Sequence, residues 1–148
     1  MAQFARPSAD TNNPDAYTDL AGGSTNLYLT LDEVVQDNAD GIRTVVTPTS
    51  DVYVTKLSNV TDPVSSTGHI MRMATSADQD AQEAIDFTQQ LRQGYVSEAA
   101  QGTLIASQSR NGVTSTTWTV STYTLSGAEA DLITDYTSLY YRFLINKP

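Results

Sequence analysis

The chain contains no cysteine. That excludes a disulfide framework, a thiolate metal site and a cysteine nucleophile. Histidine occurs once, at His69, and zinc sites draw on several His or Cys ligands. Basic residues are scarce: eight Lys and Arg stand against 17 acids, for a net charge of −9 and a pI near 4.2. The eight (Arg6, Arg43, Lys56, Arg72, Arg92, Arg110, Arg142 and Lys147) are scattered singly. Nucleic-acid binding needs clustered cations that displace phosphate counterions, so no nucleic-acid partner is expected. The acidity reads instead as solubility and a solvent-facing exterior. No apolar run approaches the ~18 residues of a membrane span, and MAQFARPSAD has no apolar segment of the Sec-signal kind. A soluble chain without a membrane partner is expected.

At 148 residues one domain with its own core is expected. Apolar residues make up 39%, while Thr and Tyr, which suit half-buried strands, are plentiful. The densest aromatic content lies in TTWTVSTYTLSGAEADLITDYTSLYYRFLIN, residues 116–146. It reads as a strand carrying the only Trp, Trp118, then a short helix, then a strand with Tyr141, Phe143 and Ile145 at period two. Ser126-Gly127-Ala128-Glu129 forms a capping box for that helix. Leu132 and Ile133 are expected to point inward from two turns.

Residues 1–25 are polar and rich in Pro, Gly and Asn, a composition that orders only when tied down. They read as an extended arm lying along its own domain or a neighbouring subunit, anchored by Phe4, Tyr17 and Leu20. Asn26–Leu31 is β-prone, and Thr30 to Glu33 fits a capping box for a helical turn over Leu31–Gln36, with Val34 and Val35 partly buried. Antiparallel strands follow at Ile42–Thr47 and Val52–Leu57. His69–Thr75 is a strand with Ile70 and Arg72 on one face and Met71 and Met73 on the other. Ser76–Gln82 is a polar loop. Glu83–Gln93 could be helical, but the alternation of Ile85, Phe87, Gln89 and Leu91 favours strand. Thr103–Ser109 and Ser115–Leu125 are further strands, with Asn111-Gly112 as a tight turn between them. Eight or nine strands, two short helices and turn signals about every 8–12 residues predict a mainly β fold, an antiparallel jelly-roll-like sandwich over 26–148.

Candidate chemistry is thin. Ser65, Ser66 and Asp62 neighbour His69, but no G-x-S-x-G elbow accompanies them, and a histidine satisfied by hydrogen bonds is the preferred reading. Asp37-Asn38-Ala39-Asp40-Gly41 hints at a calcium loop, yet lacks the closing bidentate Glu, and these residues favour turns anyway. Asp32/Glu33 and Asp78/Asp80 could pair as glycosidase acids, but their helix-start and loop contexts welcome acids without function. Tyr123, Tyr136, Tyr140, Tyr141 and Trp118 could form a sugar-stacking platform or simply pack. No catalytic residue, metal or cofactor is assigned.

The strings GSTNLYLTLDEVVQDNADGIRT, LSNVTDPVSSTGHIMRMA, LRQG and TLSGAEADLITDYTSLYYRFLIN together resemble a family of small proteins encoded in the structural modules of tailed phages. Gly41-Ile42-Arg43-Thr44 stands where that family often has Tyr-Ile-Arg-Ser. The likeness runs over roughly 22–146 and is weakest from Asp80 to Ala100, where a long polar loop follows Leu91. It implies a non-enzymatic β-sandwich of the virion. The expectation is a capsid decoration (cement) protein on the outer capsid surface, made in the host cytoplasm. Its partner would be the major capsid protein, and it would be a homo-oligomer, a trimer by preference. Phe4, Arg6, Tyr17 and Leu20 of the arm would supply the contact. The alternative is a head- or tail-fibre module that recognises host glycans.

Overall fold

The computed structural model describes residues 3–15, 17–31, 35–44, 48–77 and 84–148. It is mainly β, with antiparallel sheets. The strands in chain order are β1 (Pro7–Asn12), β2 (Thr18–Asp19), β3 (Ile42–Arg43), β4 (Thr49–Leu57), β5 (Ile70–Thr75), β6 (Ile85–Gln93), β7 (Thr103–Val113), β8 (Thr119–Thr124) and β9 (Leu139–Asn146). Five form one sheet in the order β1-β4-β9-β6-β7, and β2–β3 and β5–β8 form two-stranded ladders.

The period-two pattern of β9 explains the layering. Leu139, Tyr141, Phe143 and Ile145 face one side of the large sheet, beside Leu57, Thr55 and Tyr53 of β4 and Leu91, Gln89 and Phe87 of β6. The β5–β8 ribbon covers this side: Met71 and Leu125 share a buried cluster with Leu57, Leu91, Ile105, Ala106 and Leu139. A second cluster on the same side joins Tyr17, Leu27, Tyr53 and Ile145. Tyr140, Arg142 and Leu144 face the opposite side, where Tyr95 shields Val52 and Val54. β5 alternates as its sequence predicts, with Met71 and Met73 buried and Ile70 and Arg72 exposed.

Several expectations change. β8 pairs with β5 and β9 with β4 and β6, so the C-terminal strand–helix–strand crosses between layers. The capping box is present, but its helix α1 (Gly127–Ala130) is a single turn. Ile133 is buried and Leu132 is exposed. Two helices were expected; among the described residues there is this one α-helix and a 3-10 turn at Leu27–Thr30, within the segment read as strand. The reason is tertiary: Asp10 of β1 accepts the Leu27 and Tyr28 amides at 3.0 and 2.8 Å, satisfying a turn in place of a ladder. Of the expected helix over Leu31–Gln36, residues 32–34 lie outside the described set, and with them the capping-box acid and the Asp32/Glu33 pair. Val35 is exposed rather than partly buried. Residues 45–47 of the expected strand Ile42–Thr47 also lie outside it. What is described, Ile42–Arg43, pairs with β2 rather than with β4. Residues 78–83, which take in Asp78, Asp80, most of the expected loop Ser76–Gln82 and the first residue of the expected strand Glu83–Gln93, are outside it as well.

Asn111-Gly112 is not a hairpin turn. It lies inside β7, where the register with β6 shifts between Ile85 and Phe87. Gly112 takes φ +68° and its amide donates to the Asp86 carboxylate at 2.8 Å. The dipeptide's left-handed preference is spent on a β-bulge.

The loop after β6 turns on two glycines of similar backbone, Gly94 at φ +71° and Gly102 at φ +68°. A Cβ at Gly94 would meet nothing within 4 Å, whereas one at Gly102 would lie 2.1 Å from the Gln93 carbonyl. Gly94→Ala is expected to cost about 1–2 kcal/mol from the left-handed backbone alone. Gly102→Ala should cost at least ~2 kcal/mol more because backbone must move. Urea midpoints of the two variants test this, and equal losses would refute the clash.

Candidate functional site

The side of the large sheet facing the ribbon holds a cleft of about 600 Å³, within the usual range for small-ligand sites. Phe87 of β6 and Phe143 and Ile145 of β9 supply one wall. Tyr17, Leu31 and Ile42 close an end, and Met73, Val120 and Thr122 come from the ribbon. Trp118, just before β8, sits against Gly41, where an added Cβ would lie 3.3 Å from the indole. The exposed residues Gln36 and Asp37, with half-buried Asp40, line the outer part.

Polar side chains hold the walls apart at a set spacing. Gln89 is buried; its amide donates to the Arg72 carbonyl at 3.2 Å and accepts from the Gln108 amide at 2.5 Å. Arg110 donates to the Thr75 hydroxyl at 2.7 Å and the Thr75 carbonyl at 3.2 Å. These bonds tie β6 and β7 to β5. The cleft offers stacking surface and hydrogen-bonding groups. Burial pushes the Tyr141 phenol up to about 12 and the Tyr17 phenol up as well, reinforced by Asp51 and Asp15. Both keep their protons at neutral pH, so neither offers a base, and the Tyr17 hydroxyl is already committed to the Asp51 carbonyl.

The opposite side of the sheet carries the other polar centre. Arg142 is buried in the middle strand and donates to Glu98 through Nε at 3.0 and 3.1 Å and through Nη2 at 2.5 Å. Tyr95 donates to the same carboxylate at 2.8 Å and accepts from Asn12 at 2.9 Å. This network folds the β6–β7 loop onto the sheet. The Arg142 bonds hold the Glu98 carboxyl below its ordinary value, against the desolvation that raises it. Sequence reading missed the pair. The signal was Arg142 set at the centre of YYRFL, where a buried cation needs a counterion.

The residues singled out from sequence do not converge. Phe4 is 56% exposed, with the Arg6 guanidinium 5.8 Å from its ring. Leu20 is partly exposed, but Tyr17 is fully buried and donates to the Asp51 carbonyl at 3.0 Å. Tyr17 is therefore a core residue and cannot touch a partner. His69 bonds the Tyr136 hydroxyl at 2.8 Å, while Ser66 donates to Asp131, Ser65 bonds Thr67 and Asp62 accepts the Val64 amide. None of these three side chains bonds the histidine. Asp37 and Asp40 accept the Ala39 and Gly41 amides within a turn. No cluster of three or more metal-ligating side chains occurs among the described residues. Tyr140 and Tyr141 face opposite sides, Tyr123 bonds Glu129 and Tyr136 bonds His69, so the aromatics form no single platform.

No family model matches the chain, and no match was found among curated proteins or solved structures. Among the described residues no helix is long and apolar enough to cross a membrane.

The Glu98–Arg142 pair generates a pH prediction. A carboxyl whose folded pKa lies below its unfolded value of 4.5 stabilises fully above that value. That stability is lost as pH falls through the folded pKa. Because Glu98 is about a third exposed, solvent screening limits the contribution. Glu98→Gln is expected to cost about 1–2 kcal/mol at neutral pH and to flatten the acid limb of the stability profile below pH 4.5. An unchanged acid limb in urea titrations would remove Glu98 from that role.

Proposed function

We propose that this is a non-enzymatic structural protein of a tailed-phage virion, most simply a decoration protein on the outer face of the assembled capsid. The resemblance across residues 22–146 carries the reading. The arm adds support. Its strand β1 is paired to β4, which leaves Phe4 exposed on a fixed segment, backed by Arg6. Leu20 is a second exposed apolar anchor on the N-terminal segment. Preordered apolar anchors bind at lower entropic cost than a disordered tail. In this reading the large sheet and the β5–β8 ribbon are the two layers of a small sandwich. The protein would bind neighbouring subunits of the major capsid protein as a homo-oligomer, and binding only the assembled shell would stabilise that shell by linkage.

Removing residues 1–20 would delete strand β1 and the buried Tyr17, so point variants are the proper probe. Purified protein should co-sediment saturably with undecorated capsids and not with free capsid subunits. Phe4→Ala/Leu20→Ala should weaken that binding at least ~10-fold with an unchanged unfolding midpoint. Absence of saturable binding by the wild-type protein would refute the decoration role. Undiminished binding by the variant would refute the arm as its contact.

A second reading is favoured by the cleft. Trp118 with Asp37 and Asp40 nearby combines a stacking surface with carboxylate acceptors, the ingredients of sugar recognition, and would suit a fibre module that reads host glycans. Trp118 is the only Trp, so its fluorescence reports directly. A glycan ligand should shift its emission, and Trp118→Ala should abolish binding on a glycan array. An array without a hit would eliminate this reading.

A further inference from the structure

The two edges of the large sheet are finished differently. β1 begins with a proline and its register against β4 shifts twice within six residues. It is also packed by the Leu27–Thr30 turn, which is bonded to Asp10. These are the devices by which proteins blunt an edge against further pairing. β7 is the longest strand, at 11 residues. Among the described residues its only strand partner is β6, and α1 lies beside part of it. Its outer edge carries no Pro, Lys or acid.

Charge points the same way. From Ala99 to Ala128 the chain has no Asp, Glu or Lys and one Arg, so all 17 acids of this −9 chain lie elsewhere. Two copies of an acidic protein repel each other, and they do so least where neither presents acids. β7 is bulged near Ile105 and at Asn111–Gly112, which leaves Ala106–Arg110 in regular register. In that window Ser107 and Ser109 are exposed small side chains, and Arg110 turns to Thr75.

We infer that β7 is a self-association edge, pairing antiparallel with β7 of a second copy about a twofold axis at Gln108. In this register Ser107 of one copy lies opposite Ser109 of the other, and Ala106 lies opposite Arg110. No like charges meet. The pairing joins two five-stranded sheets into one continuous sheet, and the contact is isologous, so it closes at two copies. The inference is independent of the capsid reading.

The full chain should sediment at twice its 16.0 kDa mass in a concentration-dependent equilibrium. Ser107→Lys, at an exposed position without a side-chain hydrogen bond of its own, should weaken association at least ~10-fold by placing like charges across the axis. Its far-UV spectrum and unfolding midpoint should remain those of the monomer fold. In this cysteine-free chain, Ser107→Cys/Ser109→Cys should form an intermolecular disulfide on mild oxidation, whereas Val64→Cys, far from the edge in sequence and 90% exposed, should not. A wild-type protein monomeric up to its solubility limit would overturn the inference. So would a dimer that Ser107→Lys leaves intact, or equal cross-linking by the Val64 control.

Discussion

The structure depends on β9 lying between β4 and β6. Paired on both sides, β9 also buries residues on both of its faces, Leu139 and Ile145 on one and Arg142 on the other, so each face is covered or compensated. Its odd residues accomplish the first: Leu139, Tyr141, Phe143 and Ile145 hold the cores beneath the ribbon and the N-terminal segment. Its even residues require the second, because Arg142 brings a cation into the centre of the sheet. Glu98, Tyr95 and Asn12 answer it in sequence. The β6–β7 loop therefore folds back over the sheet.

The acids have two uses. Part of the −9 charge is the solvent-facing exterior that composition implies. Asp10, Asp15 and Asp51, however, are structural. Asp10 gathers the Tyr53 hydroxyl at 2.6 Å along with the Leu27 and Tyr28 amides. Asp15 takes the Val52 amide at 2.7 Å, and buried Asp51 accepts from Thr44 and Thr49. Burial, reinforced by the bond to Asp10, drives the Tyr53 phenol up. Through these contacts a polar N-terminal segment, too poor in apolar residues to dock by burial alone, is fastened by charge-assisted hydrogen bonds.

The cleft comes from the same arrangement. A two-stranded ribbon cannot cover a five-stranded sheet, so part of the apolar face stays open, walled by Phe87, Phe143 and Trp118. Little of this site was legible beforehand. Trp118 was visible as a singular residue, but Ile42, Met73 and Phe87 were read as ordinary strand positions. They come from segments far apart in the chain. The Ser65, Ser66 and Asp62 neighbours of His69 show the converse: adjacency in sequence produced no shared geometry.

The sequence by itself determined the local structure: the mainly β class, the alternation in β5, β6 and β9, and the Ser126–Glu129 capping box. These follow from side-chain period and from bonds spanning three residues. Which strand pairs with which was decided only in three dimensions. β8 joins β5, β3 joins β2, Asn111-Gly112 bulges where it was read as turning, and Leu27–Thr30 coils where it was read as extending. In each case a partner distant in sequence, such as Asp86 or Asp10, satisfies backbone groups that local propensity would have bonded otherwise. A buried amide needs an acceptor, and only the folded chain decides which one is near.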